Sequence, residues 1–346
     1  MKENILSLST EKFKEKCESV GLKSFVAQQV FDWIFKKHVV SFDGMKNISK
    51  KNQEVLDANF EILPFQCSTS FSSKEDNARK CNLKLNDGNI VECVVLKEKS
   101  YYTLCVSSQC GCGVDCKFCL TGVVGFRRNL KVEEIMAQVL YANSIGYPIS
   151  HLVFMGMGEP LMNLDNVIEA INIMNQEDRL AISKRKVTVS TSGYLAGIKK
   201  LIDKSFYINL AFSVGSADPI KRAPIMPIEN RNPIVEVSRE IKRYQSLHNR
   251  KLTLEYTLLE GKNDSEYEIR SLVNLARYLN AKVNLINLNP HPEIPFNPVS
   301  EQKLKMIRDT IRVNEVPVTI RFKKGQDIAA ACGQLGESIL DNRLSN

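Results

Sequence analysis

Cys112-Gly-Val-Asp-Cys116-Lys-Phe-Cys119 places three cysteines within eight residues, spaced by three residues and then by two. Thiolates that close in sequence commonly share a metal or a cluster. Structural zinc sites need four ligands, mostly paired C-x2-C units with or without histidine. No histidine lies near this triplet and no fourth ligand is evident. The uneven spacing suits a [4Fe–4S] cluster better, with one iron left without a protein ligand and free to hold a small molecule. Three unliganded core cysteines are the competing reading.

Outward from this stretch the pattern alternates between strand and helix. Strands are expected at 102–106, 152–155, 187–191, 208–213, 252–258 and 282–288. A helix starts at Val132, with Val132, Ile135, Met136, Val139 and Leu140 on one face, and stops before Gly146 and Pro148. Further helices fall near 165–175, 195–203, 233–247 and 265–279. Pro233 suits a first helical turn and Asp264-Ser-Glu a cap. This alternation implies an α/β fold with a parallel sheet. Six units are too few for a closed eight-stranded barrel, so an open partial (βα)6 barrel is expected. Such barrels place chemistry at the C-terminal ends of their strands. The polar and glycine-rich stretches lie there: the cysteine loop, Gly156-Met157-Gly158-Glu159-Pro160, Ser190-Thr-Ser-Gly193, Ser213, and 287–290. The remaining 300–346 offers a helix, a strand at 318–322 and a small-residue loop around Cys332.

Ahead of the barrel, residues 10–62 read as short helices. Thr10 is a candidate cap for one carrying Phe13 and Cys17. Ser24 is a candidate cap for another carrying Val26, Val30, Phe31, Ile34 and Phe35. Lys36, Lys37, Lys46, Lys50 and Lys51 flank them, either to grip an RNA backbone or as a solvated face. Trp33 reads as core. Residues 64–74 are polar and serine-rich, which marks a linker. Strands at 80–85 and 90–96, joined by Asn86-Asp-Gly-Asn89, form a hairpin that feeds the cysteine loop. The expected division is a helical module at 1–70, a linker and hairpin at 71–99, and the barrel with its C-terminal loop at 100–346.

The chain has 346 residues, enough for one large core and a small second unit. Its net charge of +8 favours a polyanionic partner without proving one. Ten cysteines and an N-terminus without an apolar core segment read as a reducing, cytoplasmic setting. No apolar run is long enough for a membrane span. Gly158 lets backbone approach a ligand closely, and Glu159 can accept hydrogen bonds from an ammonium. Ser190 and Asn289 are polar groups at strand ends, fit for a ribose and a carboxylate or for capping turns. Arg127, Arg128 and Lys184-Arg-Lys186 are candidate phosphate contacts, with a solvated face as the other reading.

The C-x3-C-x2-C triplet, with Phe118 before its last cysteine, is the signature of radical S-adenosylmethionine enzymes, in which the open iron chelates that cofactor. The likeness extends further. Thr103-Leu-Cys105-Val-Ser-Ser-Gln109, Gly125-Phe-Arg-Arg-Asn-Leu130, Gly156-Met-Gly-Glu-Pro160, Val187-Thr-Val-Ser-Thr-Ser-Gly193, Met226-Pro-Ile and Ala330-Ala-Cys332-Gly-Gln-Leu335 resemble, in order, the RlmN/Cfr family of radical S-adenosylmethionine RNA methyltransferases. The resemblance runs from about residue 20 to residue 336.

The resemblance implies Cys112, Cys116 and Cys119 as ligands of one [4Fe–4S] cluster. S-adenosylmethionine is then both methyl donor and radical source. Adenine C2 is an electron-poor carbon and cannot attack a sulfonium methyl, whereas a thiolate can. By this resemblance Cys332 becomes S-methylcysteine, Cys105 resolves the RNA adduct through a transient disulfide with Cys332, and Glu92 is the proton acceptor. Gly158, Glu159, Ser190, Ser213, Val214, Gly215 and Asn289 match cofactor contacts. Family members commonly read Ser-Leu-His where this chain reads Ser213-Val-Gly215, so any contact at Gly215 falls to its backbone. Cys17, Cys67, Cys81 and Cys93 match no family role and are read as structural, and Cys110 is not a ligand. Pro160 resembles the branch that methylates C2 of an adenosine in 23S ribosomal RNA and adenosine 37 of transfer RNA. The other branch methylates C8. An external flavodoxin- or ferredoxin-like reductant and a monomer are implied. Two alternatives stay open: a radical enzyme on another substrate, with the helical module for dimerisation, and a zinc-stabilised RNA-binding protein without catalysis.

Overall fold

A computed structural model describes residues 2–250, 252–321 and 324–344. Ten strands form one sheet whose spatial order follows the sequence: Phe65–Ser72, Arg79–Leu85, Ile90–Lys97, Tyr102–Cys105, Ile149–Phe154, Val187–Thr191, Asn209–Ser213, Leu252–Leu258, Lys282–Asn287 and Val318–Ile320. The last seven run parallel and the first three antiparallel. The parallel run thus gains a seventh strand, Val318–Ile320, against Lys282–Asn287. Phe322, the expected end of that strand, lies outside the described residues.

Helices Val132–Ser144, Leu164–Asn175, Leu195–Asp203, Ile234–Ser246, Glu266–Tyr278 and Glu301–Val313 connect the parallel strands. Their start signals are local. The Ser265 side chain accepts from the Glu268 N–H, and that of Ser300 from the Lys303 N–H. Parallel strands need such crossovers, and helices packed on the sheet account for apolar strands such as Leu252-Thr-Leu-Glu-Tyr-Thr-Leu258.

Three local expectations are corrected. Helix Thr10–Ser19 is capped by Ser9, whose hydroxyl accepts from Lys12 N–H, and not by Thr10. Helix Ser24–Phe31 follows Lys23 with no side-chain cap, so Ser24 is already inside it. The serine-rich stretch expected to be a linker is the edge strand Phe65–Ser72, paired with Arg79–Leu85. Serine and threonine serve an edge strand well, because much of its surface faces water.

The N-terminal helices share one apolar cluster with the sheet and its helices. Arg179 ties them further. Its guanidinium stacks on Phe31 at 3.8 Å and donates to the Leu8 carbonyl at 3.2 Å. Lys36, Lys37, Lys46, Lys50 and Lys51 are exposed. Trp33 is only half-buried, with the Lys37 ammonium 3.8 Å from its ring centre.

Candidate active site

Cys105 closes its strand, and the chain then turns into the cysteine loop. Side chains stitch that loop to the end of the next strand. The Ser107 hydroxyl donates to the Glu92 carbonyl at 2.6 Å and accepts from Met157 N–H at 2.8 Å. Gln109 Oε1 accepts from Glu159 N–H at 2.8 Å. Gly158 sits against Gln109 with φ +99°, and an added Cβ would lie 2.5 Å from Gln109 Cβ. Only glycine allows this approach.

Cys112, Cys116 and Cys119 are half-buried thiols. Burial pushes Cys112 up to about 12 and raises Cys116 and Cys119 as well. Thiols in that state stay protonated at neutral pH unless metal ions hold the thiolates. Among the described residues, no three Cys, His, Asp or Glu side chains converge as ligands of a single ion. An all-sulfur donor set suits an iron–sulfur cluster, which offers each thiolate its own iron.

The three thiols open onto a cleft also lined by Gly158, Glu159, Ser190 and Ser213. Glu159 is 2 % exposed. Its carboxylate accepts from Ser192 N–H at 2.7 Å and Leu161 N–H at 3.2 Å, while burial raises its pKa. The Ser190 and Ser213 hydroxyls lie 3.3 Å apart. Glu255 and Arg321 line the same cleft and escaped the sequence reading. A charge inside the apolar strand Leu252–Leu258 was the available signal for Glu255. Arg321 directly follows the strand Val318–Ile320.

Val214 and Gly215 line neither this cleft nor its neighbour. Val214 is fully buried. Gly215 has φ +69°, its carbonyl accepts from Asn263 Nδ2 at 2.7 Å, and a Cβ there would lie 2.4 Å from Met226 Sδ. An imidazole at this position would require Met226 to move.

A second cleft adjoins the first. Val94, Leu96, Cys105, Asn289 and Ala330 line it, and Met155, Ile286, Arg321 and Cys332 border both clefts. Cys105 is buried and its thiol is pushed up to about 12. Cys332 is half-buried, and both cysteines are free thiols. Asn289 lies in this second cleft and donates to the Cys332 carbonyl at 3.0 Å. The Gly333 carbonyl accepts from Leu120 N–H at 2.7 Å, which fastens the Cys332 loop to the cysteine-triplet segment.

Glu92 alternates onto the same strand face as Val94 and Leu96, but residues 336–338 cover it and it lines neither cleft. It is fully buried and pairs with Lys80 at 3.2 Å. Arg128 is committed to Glu134 at 2.7 Å and to Asp87 at 2.5 Å, whereas Arg127 is exposed. Cys17, Cys81, Cys93 and Cys110 are buried in the core, and the Cys67 side chain lies outside the described set.

Residues 106–273 match the radical SAM superfamily model, and residues 3–62 match the ribosomal RNA large subunit methyltransferase N-terminal domain. The chain is 39% identical over 341 residues to the probable dual-specificity RNA methyltransferase RlmN of Clostridium perfringens strain SM101, covering 98% of each. It is 40% identical over 340 residues to the protein of the same name from Clostridium botulinum strain Loch Maree, covering 97% of this chain and 98% of that one. The chain belongs to the RlmN family. A crystal structure of a radical SAM methyltransferase from Sphaerobacter thermophilus superposes with a TM-score of 0.91 at 32% identity, over 96% of this chain and 98% of that one. The fold expected from the strand–helix alternation and the family expected from the ordered motifs are therefore those found. As a radical SAM RNA methyltransferase of the RlmN type, the chain uses a [4Fe–4S] cluster and S-adenosylmethionine. Among the described residues, no helix is long and apolar enough to cross a membrane.

Proposed function

We propose that the chain transfers a methyl-derived carbon to C2 of an adenosine in 23S ribosomal RNA and to adenosine 37 of transfer RNA, through Cys332. The observation that carries this reading is the place of Cys332 in the wall shared by two clefts. One cleft holds the cysteine triplet and Glu159, and the other holds Cys105. Cys112, Cys116 and Cys119 hold the cluster. When bound, it supplies the electron that cleaves the sulfonium of S-adenosylmethionine and so produces a carbon radical.

Glu159 presents a carboxylate for the cofactor's ammonium, and Gly158, packed against Gln109, brings backbone to the same cleft. Ser190 and Ser213 offer hydroxyls to its ribose. At 213–215 only Ser213 lines the cleft, so contact with the cofactor at this segment falls to Ser213, with Val214 and Gly215 behind it. Asn289 steadies the loop through the Cys332 carbonyl. The thiolate of Cys332 accepts a methyl group, that methyl loses a hydrogen atom to the radical, and the remaining carbon bonds to C2 of the adenine. Arg321 lines both clefts, and its positive charge partly opposes the burial that raises the Cys105 thiol. Once residues 336–338 lift from it, Glu92 takes the proton from the substituted carbon as the adduct gives up the one electron that started the radical. Cys105 then bonds to the Cys332 sulfur, and the carbon leaves with the C–S electron pair and takes up a proton to become the methyl group. The external reductant returns the Cys105–Cys332 disulfide to two thiols.

The module at 1–70, with its exposed lysines, and the hairpin at 71–99 present RNA to the barrel at 100–346. A monomer, a cytoplasmic setting and an external one-electron reductant complete the reading. Anaerobic reconstitution with iron and sulfide, incubation with an rRNA fragment and nucleoside mass spectrometry test it. The expected product is 2-methyladenosine. Only 8-methyladenosine would assign the other branch, and colourless zinc protein without cofactor cleavage would overturn the radical reading.

A further inference from the structure

A buried ion pair lies beneath the Cys332 loop. Lys80 is 1 % exposed and Glu92 fully buried. Both come from the hairpin, where Asn82 stands directly opposite Glu92. Lysine has three donors, and Lys80 Nζ meets three acceptors. They are Glu92 Oε2 at 3.2 Å, the Ala329 carbonyl at 3.2 Å and Glu337 Oε2 at 3.8 Å. Glu92 in turn accepts from Gly336 N–H at 2.9 Å and Ser338 N–H at 3.2 Å. Asn82 Nδ2 donates to Ser338 Oγ at 2.7 Å. These bonds grip the backbone on both sides of Cys332.

Buried ion pairs are poor sources of stability, since apolar residues of similar volume commonly do as well. What such a pair supplies is direction. Here its directional bonds fall on one loop, and that loop carries the cysteine bordering both clefts. We propose that Lys80 is a positioning residue which, with Glu92, clamps the Cys332 loop in register between the cofactor cleft and the cleft of Cys105. The inference rests on the Cys332 relay proposed above. With the clamp closed Cys332 faces both clefts and the Glu92 carboxylate is occupied. Release of residues 336–338 is the event that frees the carboxylate.

The test uses the full, cluster-reconstituted chain and its Lys80→Met, Lys80→Arg and Ser338→Pro variants. Proline is tolerated in a first helical turn, so the last variant removes one N–H from Glu92 and the hydroxyl that accepts from Asn82, and leaves both buried charges. Three quantities are followed by mass spectrometry: iodoacetamide alkylation of Cys332 relative to Cys105, S-methylation of Cys332 by S-adenosylmethionine, and 5′-deoxyadenosine formed under dithionite. A charge-assisted hydrogen bond corresponds to about ten- to hundredfold in a local opening equilibrium. Lys80→Met is expected to speed Cys332 alkylation by about that factor and to slow its methylation, with cluster absorbance and 5′-deoxyadenosine unchanged. Lys80→Arg is expected to recover methylation in part, and Ser338→Pro to speed alkylation even where Lys80→Met takes up no cluster. Wild-type alkylation and methylation in both Lys80→Met and Ser338→Pro would overturn the clamp. A wild-type chain that never methylates Cys332 would instead sink the relay, while its alkylation still reports on the clamp.

Discussion

Glu159→Gln is the sharpest probe of the cofactor cleft because it keeps shape and removes charge. In the native site each carboxylate oxygen accepts one backbone N–H, from Ser192 at 2.7 Å and from Leu161 at 3.2 Å. Glutamine has one acceptor oxygen, so its NH2 must face one of those N–H groups. A buried donor left without an acceptor costs about 1–3 kcal/mol, and the surviving bond loses its charge assistance, for about 2–4 kcal/mol in all. Part of this falls on the 156–159 turn and part on cofactor binding. The expected result is a lower melting temperature and ten- to hundredfold weaker binding of S-adenosylmethionine, as the loss of one charge-assisted bond implies. Calorimetric titration of the reconstituted protein and thermal unfolding measure the two. The acid side adds a check. Burial raises the Glu159 pKa above its ordinary 4.5, so its contribution to stability is present below pH 4.5 and is lost as pH climbs through the raised value. The glutamine variant should lack that loss. Unchanged affinity together with an unchanged stability–pH curve would refute the role given to this carboxylate.

Cys105, with its thiol near 12, should alkylate about tenfold faster per pH unit from pH 8 to 10, and a plateau below pH 10 would contradict its burial. Cys105→Ala should leave the RNA joined covalently to Cys332, seen as a band of raised mass in a denaturing gel. Free methylated RNA at the wild-type rate would remove Cys105 from the mechanism. Arg222 is fully buried, pairs with Glu229 at 2.6 Å and donates to the Ser192 carbonyl at 2.6 Å. Arg222→Met should therefore cost about 3–5 kcal/mol in denaturant unfolding, because it strands the buried Glu229.

The parts of this molecule that were legible in the sequence are those with local causes. The Asn86-Asp-Gly-Asn89 turn, the helix at Leu195–Asp203 and the strand at Val187–Thr191 follow from turn chemistry and periodicity within a short window. The cysteine triplet, as a local spacing, is legible for the same reason. The edge strand Phe65–Ser72 was hidden because its serine and threonine content reads as loop until a partner strand is known. The Lys80–Glu92 pair was hidden more deeply. Its partners lie more than two hundred residues away, at 329 and 336–338, and nothing near Lys80 in sequence marks it as buried. Gly215 is a different case. The family pattern carries a side chain there, the sequence reading assigned any contact to backbone, and the positive φ and Met226 leave no space for a Cβ.

The stacking of Arg179 on Phe31, within an apolar cluster that runs unbroken from the N-terminal helices into the sheet, has a mechanical consequence. An accessory piece on a loose tether samples many reaches and orientations, whereas one welded through shared packing keeps a single span to the cleft. A nucleic acid seated on those helices would have its modified nucleotide chosen partly by measured distance, as with a fixed-jaw gauge, before any base edge is read.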